Sequence, residues 1–181
     1  MVKAFFLDRD GVIINDRGHV YKISDIEILP GVGKAIKHLN DSGYKVVVVT
    51  NQAIVARGLC SEDDVIKANL HIQSLLDSED ARIDSFYYCP HHPSLEGNPK
   101  YKKNCNCRKP KPGMILEGAK CFGITNLGEC FMVGDKISDI EAGKKAGCKT
   151  VLVNYDLKSE LNCLAPDYVY ENLYQAVKTL I

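Results

Sequence analysis

The chain has 181 residues, 45% hydrophobic and 25% charged, with 23 basic side chains balanced by 23 acidic ones. That length suits one domain with a sizeable core, and no break in composition marks a second. A formal net charge of zero excludes a general field for nucleic acid or an anionic membrane, and no apolar run approaches the ~18 residues of a membrane span.

The chain enters its first strand at once, without the apolar stretch and cleavage site of a secretory signal, so a cytoplasmic protein is expected. Its eight cysteines then argue for metal binding or burial rather than a disulfide framework. Val2, Ala4, Phe5, Phe6 and Leu7 form an apolar run that reads as a buried strand, ending in Asp8, Asp10 and Gly11. In an open α/β sheet ligands bind outside the carboxyl ends of the strands, so two acids delivered there point to a site. Residues 12–29 keep no period and read as a loop. If that loop folds back over the strand edge, Gly18, His19 and Tyr21 are substrate-facing candidates, with a packing role the alternative for Tyr21.

Pro30 opens a helix with Val32, Ala35, Ile36 and Leu39 at helical spacing, and Gly43 sits where a left-handed terminal residue would. Lys45 to Thr50 carries Val46 to Val49 without alternation, the mark of a strand buried on both faces of a parallel sheet. Thr50, Asn51 and Gln52 then place a hydroxyl and two amides on the edge that carries Asp8; a helix N-cap is the alternative for Thr50. Ser61 with Asp64 opens a packing helix to about Leu76, and Ser85 to Cys89 reads as a third strand. Residues 90–111 are rich in Pro, Asn and Lys and cannot form a core by themselves. Residues 113–123 read as a helix, Cys130 to Val133 as a fourth strand ending in Gly134-Asp135, and Ile137 to Ala146 as a helix closed by Gly147. Thr150 to Val153 reads as a fifth strand and Asn172 to Leu180 as a terminal helix.

Asp8 and Asp10, then Thr50, then Lys109 or Lys111, then Asp135 with Asp139 follow one another along these alternating elements. Asp-x-Asp-Gly and Gly-Asp-x-x-x-Asp at strand ends, with Thr and Lys between them, resemble the haloacid dehalogenase superfamily of phosphotransferases from about Lys3 to Val153. Clustered aspartates repel a phosphate unless a cation lies between, and Mg2+ suits oxygen ligands. Asp8, Asp135 and a backbone carbonyl near Asp10 are the expected ligands, with Asp139 a direct or outer partner. Asp8, ionised at neutral pH, can attack phosphorus without a base, giving an aspartyl-phosphate. Asp10 would serve as acid and then base, and Thr50 and a lysine would hold the remaining oxygens. The resemblance makes that lysine Lys109.

Cys89-x-His91 with Cys105-x-Cys107 supplies three thiolates and an imidazole, a full tetrahedral Zn2+ set with no open position, hence structural. His92 competes with His91, and buried thiols are the alternative reading. Cys-Pro-His-His-Pro, then Cys-x-Cys-Arg-Lys-Pro-x-Pro-Gly-Met, with Asn51-Gln52 and Ala56-Arg57-Gly58, resemble the D-glycero-D-manno-heptose 1,7-bisphosphate 7-phosphatases and related histidinol phosphatases. That resemblance implies zinc on the four ligands and substrate contacts at Asn51, Gln52, Arg57 and Arg108. The Ser-Gly usual after Asn-Gln is Ala53-Ile54 here, which removes a hydroxyl and adds bulk.

The expected architecture is a single α/β domain over residues 1–181, with a Rossmann-like, mostly parallel sheet flanked by helices. A minimal cap is expected, with the zinc loop at about 89–107 as the shield. The expected protein is a monomeric, magnesium-dependent phosphatase acting on a small sugar phosphate. A zinc-containing nucleic-acid module is the rival from another class, opposed by the zero net charge.

Overall fold

Side-chain alternation along the apolar runs decides where the helices lie. In the computed structural model, which describes residues 1–18, 20–94, 97–154 and 165–181, six strands form one sheet in the order β3-β2-β1-β4-β5-β6, and every pairing is parallel. The strands are β1 (Ala4–Leu7), β2 (Lys45–Asn51), β3 (Ser85–Cys89), β4 (Phe131–Gly134), β5 (Lys149–Val153) and β6 (Tyr168–Tyr170). The helices are α1 (Val32–Asp41), α2 (Glu62–Leu76), α3 (Gly113–Cys121), α4 (Ile137–Ala146) and α5 (Leu173–Leu180).

Phe5, Leu7, Val46 and Val48 face one layer, where they pack with Val32, Ile36 and Leu39 of α1, Ile72 and Leu76 of α2, and Leu173 and Val177 of α5. Ala4, Phe6, Val47 and Val49 face the other layer with Met114, Ile115 and Ala119 of α3 and Ala142 of α4. All eight of these strand side chains are 0% exposed, which is why β1 and β2 show no polar alternation. The layer arrangement agrees with the α/β expectation.

Chain direction makes the crevice. From β1 the chain builds outward through β2 to β3, then returns to lay β4 against the other side of β1. Strand order therefore reverses beside β1, the place where open parallel sheets bind ligands.

Local chemistry matches most of the expected boundaries. Ser61 and Asp64 form a reciprocal capping box, with Asp64 N donating to Ser61 Oγ at 3.2 Å and Ser61 N donating to Asp64 Oδ2 at 2.9 Å. Residues 12–29 are mostly irregular, but Val12, Ile13 and Ile14 are buried and Ile14 bridges to Ile28. One strand escaped the pattern. β6 is three residues long and two of them are exposed, so this edge strand carries neither the apolar run nor the length that marks the others.

Helix α4 lies close on the sheet because Gly143 has no side chain. A Cβ there would come within 2.7 Å of Met132 Cβ and 2.8 Å of Thr150 Cγ2. Gly143→Val is expected to destabilise the fold by about 1–3 kcal/mol or more through overpacking, read as a lower denaturant midpoint with an unchanged slope.

Candidate active site

Three carboxylates converge at the reversal point. Asp8 follows β1 and continues its ladder, its N–H donating to Val133 O at 2.9 Å, while Asp135 follows β4 and Asp139 lies in the first turn of α4. One oxygen from each lies within 4.8 Å of the others. Two glycines make room: Gly11, at φ 84°, would place a Cβ 2.3 Å from Asp135 Oδ2, and Gly134 would place one 2.2 Å from Asp139 Cβ.

Lys109 offsets the repulsion. Its side chain is almost fully buried, and Nζ lies 2.9 Å from Asp8 Oδ1 and 2.7 Å from Asp139 Oδ1, and donates to Val49 O at 2.7 Å. One hydrogen bond and two ion pairs thus surround the ammonium. Burial by itself disfavours the ammonium, but Asp139 and Asp8 outweigh it and raise the Lys109 pKa, so the lysine stays a cation. Its backbone is clamped by Asn51, whose Nδ2 donates to Lys109 O at 3.0 Å and whose Oδ1 accepts from Lys109 N at 3.1 Å. Lys111 points elsewhere, donating to Asn104 Oδ1 at 2.6 Å and Cys105 O at 2.9 Å. The choice between the two lysines is therefore geometric.

Asp139 uses both oxygens. Oδ2 accepts from Lys136 N at 3.0 Å, and Oδ1 is charge-paired with Lys109, although off the direction of a good hydrogen bond. Asp135 is different: Oδ1 is buried without a hydrogen-bond partner among the described residues, and Oδ2 lies 3.6 Å from Lys136 Nζ. Burial pushes Asp135 up to about 7, with Lys136 opposing and Asp8 adding. Burial likewise pushes Asp139 up to about 6 against the pull of Lys109. An orphaned carboxylate oxygen beside an acid-rich cluster fits a hard divalent cation, and Asp8 and Asp135 are the residues that could hold it.

Asp10 stands apart from that cluster. Gln52 Nε2 donates to its Oδ2 at 2.8 Å and Thr50 Oγ1 lies 3.5 Å away, at the limit of a hydrogen bond. Thr50, 1% exposed, also accepts from Gln52 Nε2 at 2.9 Å; it belongs to β2, which excludes the N-cap reading. Asp10, Asn51, Gln52, Arg57 and Arg108 line one cavity of about 340 Å³, and Gly18 reaches its edge. Tyr21 does not line it. Instead its ring packs on the cluster of Ile54, Val55, Ala56, Val65 and Tyr101, because the loop turns its apolar face inward there, so the substrate-facing placement is corrected. His19 lies outside the described residues. Ala53 and Ile54 both line the cavity, but Ile54 is 2% exposed and also packs into that cluster.

Cys89, His91, Cys105 and Cys107 also come together. Their Sγ–Sγ separations are 3.5, 3.2 and 3.3 Å, and His91 Nδ1 lies 3.4 Å from Cys107 Sγ and 3.7 Å from Cys89 Sγ. A tetrahedron with Zn–S of about 2.3 Å and Zn–N of about 2.0 Å has edges of roughly 3.5–3.8 Å, so the four donors could hold one Zn2+ after the closest pairs spread by a few tenths of an ångström. His92, the competing ligand, lines the cavity instead, where burial and then Arg108 and Arg57 lower its pKa. Arg108 donates from Nη1 to His91 O at 3.2 Å, so the stapled loop carries a cavity arginine.

Sequence reasoning passed over Arg9, Lys136 and Asp16. Lys136 lines the cavity and pairs with Asp16 at 2.9 Å. A cation directly after the Gly-Asp of a strand end was the available signal.

The unfolded chain ionises aspartate near pH 4, whereas folded Asp135 and Asp139 hold their protons to about 7 and about 6. These groups therefore make the metal-free protein lose stability as pH rises from about 4 to 7. Mg2+ bound to ionised Asp135 should offset that loss, raising the thermal midpoint more at pH 8 than at pH 6. Asp135→Asn should abolish the Mg2+-dependent shift, measured by thermal unfolding.

Comparison with known proteins gives this geometry a family. Residues 106–176 match the HAD-hydrolase-like family model. The D-glycero-beta-D-manno-heptose-1,7-bisphosphate 7-phosphatase of Haemophilus ducreyi is 44% identical over 149 residues, 82% of this chain and 80% of that protein. The D-glycero-alpha-D-manno-heptose-1,7-bisphosphate 7-phosphatase of Burkholderia mallei is 41% identical over 94% of this chain and 89% of that protein. Among solved structures, the D,D-heptose 1,7-bisphosphate phosphatase of B. bronchiseptica, complexed with magnesium and phosphate, superposes with a TM-score of 0.85 at 29% identity, covering 99% and 98% of the two chains. The chain is thus a HAD-like hydrolase and belongs to the family of the D-glycero-D-manno-heptose-1,7-bisphosphate 7-phosphatases.

Proposed function

We propose that the chain hydrolyses the 7-phosphate of D-glycero-D-manno-heptose 1,7-bisphosphate by way of a phosphoryl group carried on Asp8, within the biosynthesis of nucleotide-activated heptose. One observation carries this reading: Asp8, held at 2.9 Å by buried Lys109, stands two residues before Asp10, which lines a cavity whose wall bears two arginines and a histidine. That wall suits a substrate with a second phosphate.

An Asp8 oxygen attacks phosphorus, forming a P–O bond to Asp8 as the P–O bond to the sugar breaks. Asp10 gives its proton to the leaving sugar oxygen. It then takes a proton from water, whose oxygen attacks phosphorus and breaks the P–O bond to Asp8, releasing phosphate and restoring the carboxylate. Lys109 turns to the phosphoryl oxygens as Asp8 loses its charge, and Thr50 holds another oxygen. Asp8, Asp135 and a backbone carbonyl near Asp10 would hold Mg2+, which would supply the positive charge that a phosphate needs to approach three carboxylates. Asp139 acts by fixing Lys109 and the start of α4.

Cys89, His91, Cys105 and Cys107 would hold Zn2+ in a structural role, since four protein ligands would leave no position for substrate. Arg108 is assigned to the remote phosphate, because a guanidinium can grip it with two parallel hydrogen bonds, with Arg57 beside it. Gly18, Asn51 and Gln52 are assigned to the sugar. We assign all 181 residues to one domain that works as a monomer in the cytoplasm on a small sugar phosphate, without nucleic acid or membrane; no described helix is long and apolar enough to cross a membrane.

Phosphate release should be fastest on one anomer of the heptose bisphosphate, and slower on histidinol phosphate and a 3'-phosphorylated oligonucleotide. Preference for either of the last two would replace the proposed substrate. Asp8→Asn should lower turnover by about 10³-fold or more with the fold intact, and beryllofluoride should be trapped on Asp8 of the unsubstituted protein. An adduct on Asp10 would reverse the two roles.

Arg108→Ala should cost about tenfold to a hundredfold in kcat/KM on the bisphosphate and little on the matching 7-monophosphate, because only the former loses a charged partner. Equal losses would move Arg108 to the reacting phosphate or to the loop's structure.

A further inference from the structure

Between the two motif aspartates lies the most deeply buried cation outside the carboxylate cluster among the described residues. Arg9 is 1% exposed, and a guanidinium at that depth is tolerated only when its donors are met. Nε donates to Asp10 Oδ2 at 3.2 Å and Nη2 to Asp10 Oδ1 at 3.1 Å, so the fork spans both oxygens of its neighbour. Nη2 also donates to Val20 O at 2.7 Å, and Nη1 to Asn69 Oδ1 at 3.3 Å. Val20 and Asn69 are buried, the first in the loop at the cavity's edge and the second in α2. The guanidinium is therefore anchored on two elements and presents its remaining edge to Asp10.

This grip has a direction. Asp10 lines the cavity and its side chain is 16% exposed, while Arg9 is too deep to meet a substrate. Gln52 Nε2 adds a third hydrogen bond to Asp10 at 2.8 Å. A carboxylate on a free side chain would sample several rotamers; this one is held against rotation from its buried side and open toward the cavity. A lysine could replace the charge but not the fork.

We propose that Arg9 is a positioning residue for the proton transfer. It holds the Asp10 carboxylate in the rotamer that faces the leaving oxygen, and Asn69 holds Arg9. The proposal rests on the reading that Asp10 protonates the leaving group.

The test uses two esters, a sugar phosphate with a poor leaving group and an aryl phosphate with a good one, hydrolysed by Arg9→Lys, Asn69→Ala and Asp10→Asn, singly and combined. Arg9→Lys should lower kcat on the sugar phosphate by about tenfold to a hundredfold and on the aryl phosphate by less than about threefold, with both KM values nearly unchanged. Asn69→Ala should act in the same direction, less strongly. Added to Asp10→Asn, Arg9→Lys should cost less than about twofold more, since it acts through a group already disabled. Equal losses on both esters, no loss at all, or additive losses in the double variant would overturn the role of Arg9. Should Arg9→Lys fail to melt cooperatively, the ester ratio and the double-variant comparison for Asn69→Ala decide in its place. If Asp10→Asn itself shows no preference between the esters, the reading of Asp10 falls and the role of Arg9 with it; selectivity there with additivity in the double variant overturns Arg9 alone.

Discussion

The ammonium of Lys109 is the interaction on which the site depends. Asp8, Asp135 and Asp139 would repel one another at the ends of β1 and β4 without a cation between them, and Lys109 touches two of the three while donating to Val49 O. Such a charge is costly to bury and useful only when its partners are in place. The fold meets that condition from four directions: β1 delivers Asp8, α4 delivers Asp139, β2 delivers the Val49 carbonyl, and Asn51 clamps the lysine's own backbone. Both Asp135 Oδ1 and Asp139 Oδ1 lack a hydrogen bond among the described residues, but Asp139 Oδ1 is paired with Lys109 and Asp135 Oδ1 is not, and burial raises the Asp135 pKa.

Lys109 comes from a segment without a core, and that constraint explains the cysteine cluster. Cys105 and Cys107 stand just before Arg108 and Lys109, so whatever fixes the thiol cluster also fixes where the two cations enter the site. The loop is fastened on its far side as well. Tyr101 Oη donates to Glu62 Oε1 at 2.7 Å, Tyr88 Oη donates to Glu62 Oε2 at 3.0 Å, and Asn98 N donates to Ala56 O at 2.9 Å. Glu62 holds these phenols from the first turn of α2, where a negative charge is also favoured by the helix. The loop thereby lies against residues 54–57, which brings Arg57 into the same cavity wall as Arg108 and His92.

A second polar network, Arg9, Asp10, Gln52 and Thr50, lies beside the first and does not share its acids. The separation has chemical meaning. Asp8 has Lys109 and the orphaned Asp135 carboxylate at hand, surroundings that suit the nucleophile proposed for it, whereas Asp10 is gripped by an arginine and an amide at the cavity wall. One strand end thus supplies two carboxylates with different surroundings only two residues apart, because β1 ends at Leu7 and Asp10 already lies in the turn through Gly11, at φ 84°, which breaks the strand alternation that would put both on one face.

By itself the sequence determined the features that local physics encodes. Uninterrupted β-branched and aromatic runs specify strands buried on both faces, Ser61 with Asp64 specifies a capped helix, and acids directly after apolar runs specify a loaded carboxyl edge. Three zinc-type thiols at Cys89, Cys105 and Cys107, with a histidine at His91 or His92, were legible from their spacing. Tertiary structure alone decided between chemically equal neighbours. Lys109 and Lys111, or His91 and His92, have similar surroundings in sequence, and only the packed loop sends one of each pair to Asp8 or to the thiols and the other elsewhere. Tyr21 packs on an apolar cluster that no local pattern announces, and β6 pairs through backbone groups that its exposed side chains do not reveal. The role of Arg9 was hidden for the same reason: its partners Val20 and Asn69 are distant in the chain, and only folding brings them within hydrogen-bond reach of the residue between two aspartates.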